Sequence, residues 1–337
     1  MPMQDPTGQM SFSLSEMTAA INILPNQYGR INQLGLFPIS GIATRTFLVD
    51  EQDGALSILR AYPVGAPAPY PRDDSRRVRS FVIPHFPIDD VVKPEEIAGI
   101  RSFGGSQLET IANRMNEKLQ RHRNHHDQTL EYLRVGALKG IVMDGTGQVL
   151  LNLFTEYGIT QTTINFPFSV VGTNVRELAM LIMRTMEDNL QGEIMSGVRV
   201  LVSPEFMNAL TRHSSVEAAY ANHQGAQQMM GGDLRAGFTF GGITFEEYRG
   251  VGSPPGGGTP IRFIPASEGY AFPLGTSNSF RTIAAPADFN ETVNTIGIPY
   301  YAKAAERIMQ RGYDLHSQSN VLPICLRPKL LIKLTMS

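Results

Sequence analysis

His122, His125 and His126 fall in one polar stretch, and His122 and His126, four residues apart, share a helix face in the manner of a two-histidine metal site. A zincin-type site also needs a glutamate directly after the first histidine. Here that residue is Arg123, and no third ligand is evident, so a polar helix segment facing solvent or an interface is the plainer reading. Cys325, the sole cysteine, lies between Ile324 and Leu326 in an apolar run and reads as a buried structural thiol. The run Gly250-Val-Gly-Ser-Pro-Pro-Gly-Gly-Gly258 lacks the Gly-Lys-Ser/Thr ending of a phosphate loop, and Pro254-Pro255 block the helix that phosphate binding needs. Asp89, Asp90, Glu95 and Glu96 could serve acid–base or calcium chemistry, but no loop spacing supports either. They read better as an acidic dock for an arginine-rich surface. Arg72, Arg76, Arg77 and Arg79 could hold phosphate, yet Asp73 and Asp74 in the same run favour protein–protein salt bridges. No catalytic, cofactor-binding or metal-ligating set emerges, and the expectation is a protein that is not an enzyme.

The elements that must position these residues are legible in outline. Residues 1–43 read as an extended arm, with prolines at 2, 6, 25 and 38 and a short helix over 15–24. Residues 44–87 alternate like strands around Asp53-Gly54, a strong turn signal between runs at 46–50 and 56–60. A lone ribbon of this kind is marginal in water unless it lies on another surface. Residues 106–139 read as a long helix with a Ser106/Glu109 capping box and Gly140 as its stop. Its middle, 120–129, is almost wholly polar, which predicts a segment covered by a partner. A hairpin follows over 140–154. Residues 172–289 read as an α+β region with helices capped at Asn174 and Ser203 and a buried strand at 198–202.

Composition limits the functions open to the chain. Its 337 residues, 42% hydrophobic with net charge −2, suffice for a sizeable core and are too nearly neutral to grip nucleic acid strongly. One cysteine excludes a disulfide framework and suits a reducing compartment. Neither a signal peptide nor a membrane span is expected. Six lysines stand against 23 arginines, the first lysine being Lys93.

Several segments then resemble the major capsid protein E family of tailed bacteriophages, to which the lambda-like major head protein belongs. They include Glu131-Tyr-Leu-Arg-Val-Gly-Ala-Leu-Lys-Gly140 with Asp144-Gly-Thr-Gly-Gln-Val-Leu150, and Ser203-Pro-Glu-Phe with Val216-Glu-Ala-Ala-Tyr220. The most specific are Tyr270-Ala-Phe-Pro-Leu-Gly275, Ala285-Pro-Ala-Asp-Phe-Asn-Glu-Thr-Val-Asn294 and Gly297-Ile-Pro-Tyr-Tyr-Ala-Lys303. The resemblance covers residues 41–337.

It implies an α+β, Hong Kong 97-type (HK97-like) phage capsid fold. In that fold 1–43 is the N-terminal arm, 44–87 the extended β-hairpin loop and 88–171 the peripheral domain with spine helix 106–139. Residues 172–289 are the axial domain, and 290–337 return to the peripheral domain. The implied function is self-assembly, in hexamers and pentamers, into the icosahedral shell enclosing a double-stranded DNA genome. The shell is expected in the virion and its assembly in the host bacterial cytoplasm. A separate scaffolding protein, a portal and a decoration protein are the expected partners, with weak non-specific contact to packaged DNA and none to membrane. The ribbon would cover the polar middle of a neighbour's spine helix near His122 and His126. Its arginines 72, 76, 77 and 79 would meet Asp89, Asp90, Glu95 or Glu96 of an adjacent copy. An encapsulin-like compartment shell and a His122/His126 metal-dependent hydrolase are the alternatives.

Overall fold

The computed structural model describes residues 14–23, 29–53, 75–98, 110–170, 172–221 and 237–337. Its axis is the helix Ile111–Lys139, about 44 Å long at 1.5 Å per residue. Thr110 is extended (φ −113°, ψ 154°) and its hydroxyl accepts from the Asn113 amide, so the helix opens at Ile111 and not at 106. Ser106 and Glu109 lie outside the described residues. Gly140 ends the helix in the left-handed region (φ 80°). A Cβ there would strike the Phe154 ring, so glycine serves both the stop and the packing.

Three sheets surround this helix. The largest has six strands, in the order Thr163–Phe166, Ile332–Met336, Glu268–Leu274, Gly197–Val202, Ile243–Glu247 and Phe238–Phe240. Val175, Ala179, Ile182 and Met186 of the helix Val175–Asn189 pack on it, as do Phe206, Met207 and Leu210 of the helix Pro204–Arg212. Asn174 and Ser203 cap these helices at their expected positions. The sheet is wider than the expected span 172–289, because it recruits strands at 163–166 and 332–336. A second core holds the long helix against two three-stranded sheets. One joins Ile39–Gly41, Phe280–Ala284 and Val321–Cys325; the other joins Tyr301–Glu306, Tyr313–Ser319 and Phe86–Val92. The Cys325 thiol is wholly buried, and desolvation pushes it up to about 12.

The ribbon pairs Thr46–Asp53 with Ser75–Val82, Phe47 facing Phe81 across the ladder. The expected pairing of 46–50 with 56–60 about Asp53-Gly54 therefore does not form: the first strand runs on to Asp53, whose partner is Ser75. Residues 54–74 lie outside the described residues. The side chain of Phe81 is buried, which stabilises this face by about 1.5–3 kcal/mol. The opposite face presents Leu48, Val78 and Val82 to solvent. The helix of the arm, expected over 15–24, is described over Leu14–Ile23 and lays Met17 and Ile21 into the core.

Candidate functional site

One face of the polar middle of the long helix is inside the molecule, while Arg121 and His125 on the other face are exposed. His122, Arg123, His126 and Asp127 are all buried, covered by the strand Tyr313–Ser319, the arm helix and Tyr300 of the same chain. The expected cover, a neighbour's ribbon, is not needed at these residues. His122 Nδ1 lies 2.9 Å and His126 Nε2 3.0 Å from the Ser317 hydroxyl. Ser317 has one proton, so it donates to one imidazole and accepts from the other. Both histidines thus turn to a serine. Among the described residues no group of three or more His, Cys, Asp or Glu could hold a metal ion.

The rest of this row is paired in the same way. The Arg123 Nε donates to Asp127 Oδ2 at 2.9 Å, and its guanidinium stacks 4.0 Å over the Tyr300 ring. Tyr300 donates its hydroxyl to Asp127 Oδ1 at 2.6 Å. Arg123 also donates to the Ile21 carbonyl, fastening the arm helix. One turn on, Glu131 Oε1 accepts from the Ile31 amide at 2.9 Å and from the Tyr248 hydroxyl at 3.1 Å, while Arg134 donates to Asn32. Burial sets the titration of these groups. Desolvation pushes His126 down to about 3 and lowers His122, whereas it raises Glu131.

The acidic quartet is split by the structure. Asp90 and Glu96 close on the buried Lys118, at 3.0 and 3.1 Å, and Glu96 also meets Arg114 at 3.2 Å. Desolvation raises both carboxyls, but hydrogen bonds from Lys118, from neighbouring amides and, for Glu96, from Arg114 hold them below the usual range. Asp89 points outward, its side chain 83% exposed and 2.5 Å from His316 Nδ1, and Glu95 is exposed too. The arginine run divides too. Arg79 donates to the Glu156 carbonyl and lies 4.7 Å over the Tyr157 ring. Arg77 is exposed, and Arg76 stands next to it on the strand. Arg72 falls outside the described residues.

Two surface features escaped the sequence reading. The first is the tip of the hairpin between Tyr301–Glu306 and Tyr313–Ser319. Met309 (φ 63°) and Gln310 (φ 54°) are left-handed without being glycine, at a cost of about 1 kcal/mol each. That backbone holds Ile308 and Met309 out to solvent, 88% and 81% exposed. The only sequence signal was Gly312 after a short break in alternation, because neither strained position carries a turn residue. The second is a platform of exposed Val293, Ile296 and Ile298. The Gly297 amide donates to the Ile42 carbonyl; a side chain at Gly41 would collide with the Gly297 carbonyl, and one at Gly297 with the Ala284–Ala285 backbone.

A chain with a long spine helix, an arm bound across it, a projecting ribbon and apolar surfaces held outward is built as a shell subunit, with the Hong Kong 97-type capsid fold. The chain belongs to the phage major capsid protein E family, whose sequence pattern matches residues 13–336. It is 30% identical over 345 residues to the major capsid protein of Pseudomonas phage KPP10, covering 97% of this chain and 98% of that one. It is 31% identical to the major capsid protein of Salmonella phage Felix O1, covering 95% of each. Among solved structures, a prophage capsid protein from E. coli CFT073 superposes with TM-score 0.60 at 13% identity, over 97% of this chain and 100% of that one. The mature capsid of bacteriophage PhiM1 gives 0.50 at 11%, over 89% and 85%. The chain is a major capsid protein of a tailed phage, a component of the virion that builds a shell from repeated copies.

Proposed function

We propose that copies of this chain close into an icosahedral shell of hexamers and pentamers around a double-stranded DNA genome, and that the chain performs no catalysis. The family carries the first part of this reading; the pairing of His122 and His126 with Ser317 supports the second. Residues 1–43 act as arm, 44–87 as extended loop and 88–171 with 290–337 as peripheral domain. Residues 172–289 act as axial domain, its sheet completed by 163–166 and 332–336. Scaffolding, portal and decoration functions reside in separate proteins, assembly takes place in the host cytoplasm, and contact with DNA is weak. Negative-stain electron microscopy of the protein, expressed alone and with its scaffold, tests the core of this. Closed shells or six- and five-membered rings are expected; a monodisperse monomer or dimer under both conditions would overturn it.

The arginine run at 72–79 docks on an adjacent copy. Asp89 and Glu95 are the outward members of the acidic set, which supports them as the receiving pair over Asp90 and Glu96. Reversing Arg76→Glu and Arg77→Glu together is expected to cut particle yield at least several-fold and to leave the monomer's thermal midpoint unchanged. Unchanged yield would remove the run from the interface.

A further inference from the structure

The hairpin from Tyr301 to Ser319 carries an apolar knob at one end and an apolar groove at the other. The knob is the strained tip, where Ile308 and Met309 stand almost fully exposed beside Arg311. Arg311 is exposed and forms no ion pair among the described residues. The groove, about 400 Å³, is lined by Leu14, Ser15 and Thr18 on one face of the arm helix and by Tyr301 and Glu291. Its lower wall is firm: the Thr18 hydroxyl and the Ala302 backbone bond each other in both directions. At about 3.3 Å per strand residue, the seven residues from Tyr301 to Ile308 put knob and groove more than 20 Å apart on one rigid hairpin. A copy's own knob therefore cannot reach its groove.

We infer that the knob of one copy docks in the groove of the next, with Ile308 and Met309 filling it and Arg311 meeting Glu291 at its rim. Glu291 holds Lys303 at 2.9 Å, and a carboxylate has acceptor positions left for a guanidinium. Arg311 and Glu291 thus match in charge where the apolar side chains match the groove. The left-handed backbone at Met309 and Gln310 sets the knob's shape before contact, so little conformational freedom is lost on docking. Because the two surfaces differ, the contact is head-to-tail and repeats from copy to copy. This rests on the reading of the chain as a shell subunit and names one of the contacts that join its copies.

Cross-linking of engineered thiols tests it. The native Cys325 is fully buried and stays silent. Full-length protein carrying Ile308→Cys and Ser15→Cys is treated with a short bismaleimide under conditions in which the unaltered chain assembles. A ladder of dimer, trimer and higher species is expected from the double variant and none from either single variant. A 1:1 mixture of the single variants should stop at dimer, since each copy then has one usable end. Dimers from Ile308→Cys alone would show tip meeting tip and overturn the inference. Shells without any ladder would overturn it while leaving the proposed function standing. If neither shells nor ladder form at any concentration, both fall together.

Discussion

At the middle of the long helix, titratable groups lie inside: His122, Arg123, His126, Asp127 and Glu131 are all buried. At the tip of the 301–319 hairpin, Ile308 and Met309 lie outside, on backbone that non-glycine residues avoid. Each region reverses the ordinary burial rule, and the partners of each explain why. Arg123 pairs with Asp127 and Lys118 with Asp90 and Glu96, while Glu131 and Arg134 bond Ile31, Tyr248 and Asn32 of the same chain, so the row fixes how arm, helix and sheet align. A slip of register would strand Asp127 or Glu131 among apolar neighbours. The exposed aliphatics have no counterpart among the described residues of their own chain, and the inferred complement belongs to another copy. Polar groups inside specify the subunit; apolar groups outside specify its neighbours.

That contrast is sharpest at Asp127. Changing Asp127→Ala leaves Arg123 charged and buried with its ion-pair partner gone, and breaking such a pair costs about 3–5 kcal/mol. Urea unfolding should show this loss, and Asp127→Asn, which still accepts from Tyr300, should lose less. Equal losses would mean that the charge both variants remove accounts for the whole effect, and that the hydrogen bond from Tyr300 adds nothing.

Acid should attack the same row. His126 is held at about 3 in the folded chain, against about 6.5 when unfolded. Its folded-state value is depressed, so the unfolded chain binds the proton first. The stability it preserves is present above about pH 6.5 and is lost as pH falls toward 3, by up to about 1.4 kcal/mol per pH unit. His122 acts in the same direction, as do Asp90 and Glu96 at lower pH, while the raised Glu131 opposes them. His126→Gln should flatten the fall between pH 6 and 4. A slope unaltered by that substitution would place acid sensitivity elsewhere.

The smallest effect belongs to the tip. Met309→Gly relieves a left-handed methionine and should raise the unfolding free energy by about 0.5–1 kcal/mol after the entropy of glycine is counted. It should also weaken assembly, since it removes half of the knob. A variant that gained stability and assembled normally would separate the strain from any docking role.

The long helix, the capped helices at Asn174 and Ser203 and the hairpin after Gly140 were legible because local signals decide them: apolar periodicity, a side-chain cap, a stop glycine. The start of the spine was misplaced because Ser106/Glu109 and Thr110 offer competing caps, and the extended backbone at Thr110 decides between them. The ribbon's partner was misassigned because Asp53-Gly54 is a local turn signal, whereas the pairing of Asp53 with Ser75 crosses 22 residues. The polar middle of the helix is legible in the sequence, but the cover that its own chain supplies at His122, Arg123, His126 and Asp127 is not. Its partners, Ser317, Tyr300 and Ile21, are distant in sequence, and spacing along one helix carries no information about them. The knob was missed because positive φ at Met309 and Gln310 is imposed by the hairpin, against residue preference.

The six-stranded sheet also orders events in time. Thr163–Phe166 joins it only through Ile332–Met336, and the arm helix rests on Ala302, 284 residues downstream of Thr18. While the ribosome is still adding residues, the earlier segment has no ladder partner and the arm has only its tie to Arg123 of the long helix. A chain broken before Tyr301 consequently lacks both the finished sheet and the groove wall beside Thr18.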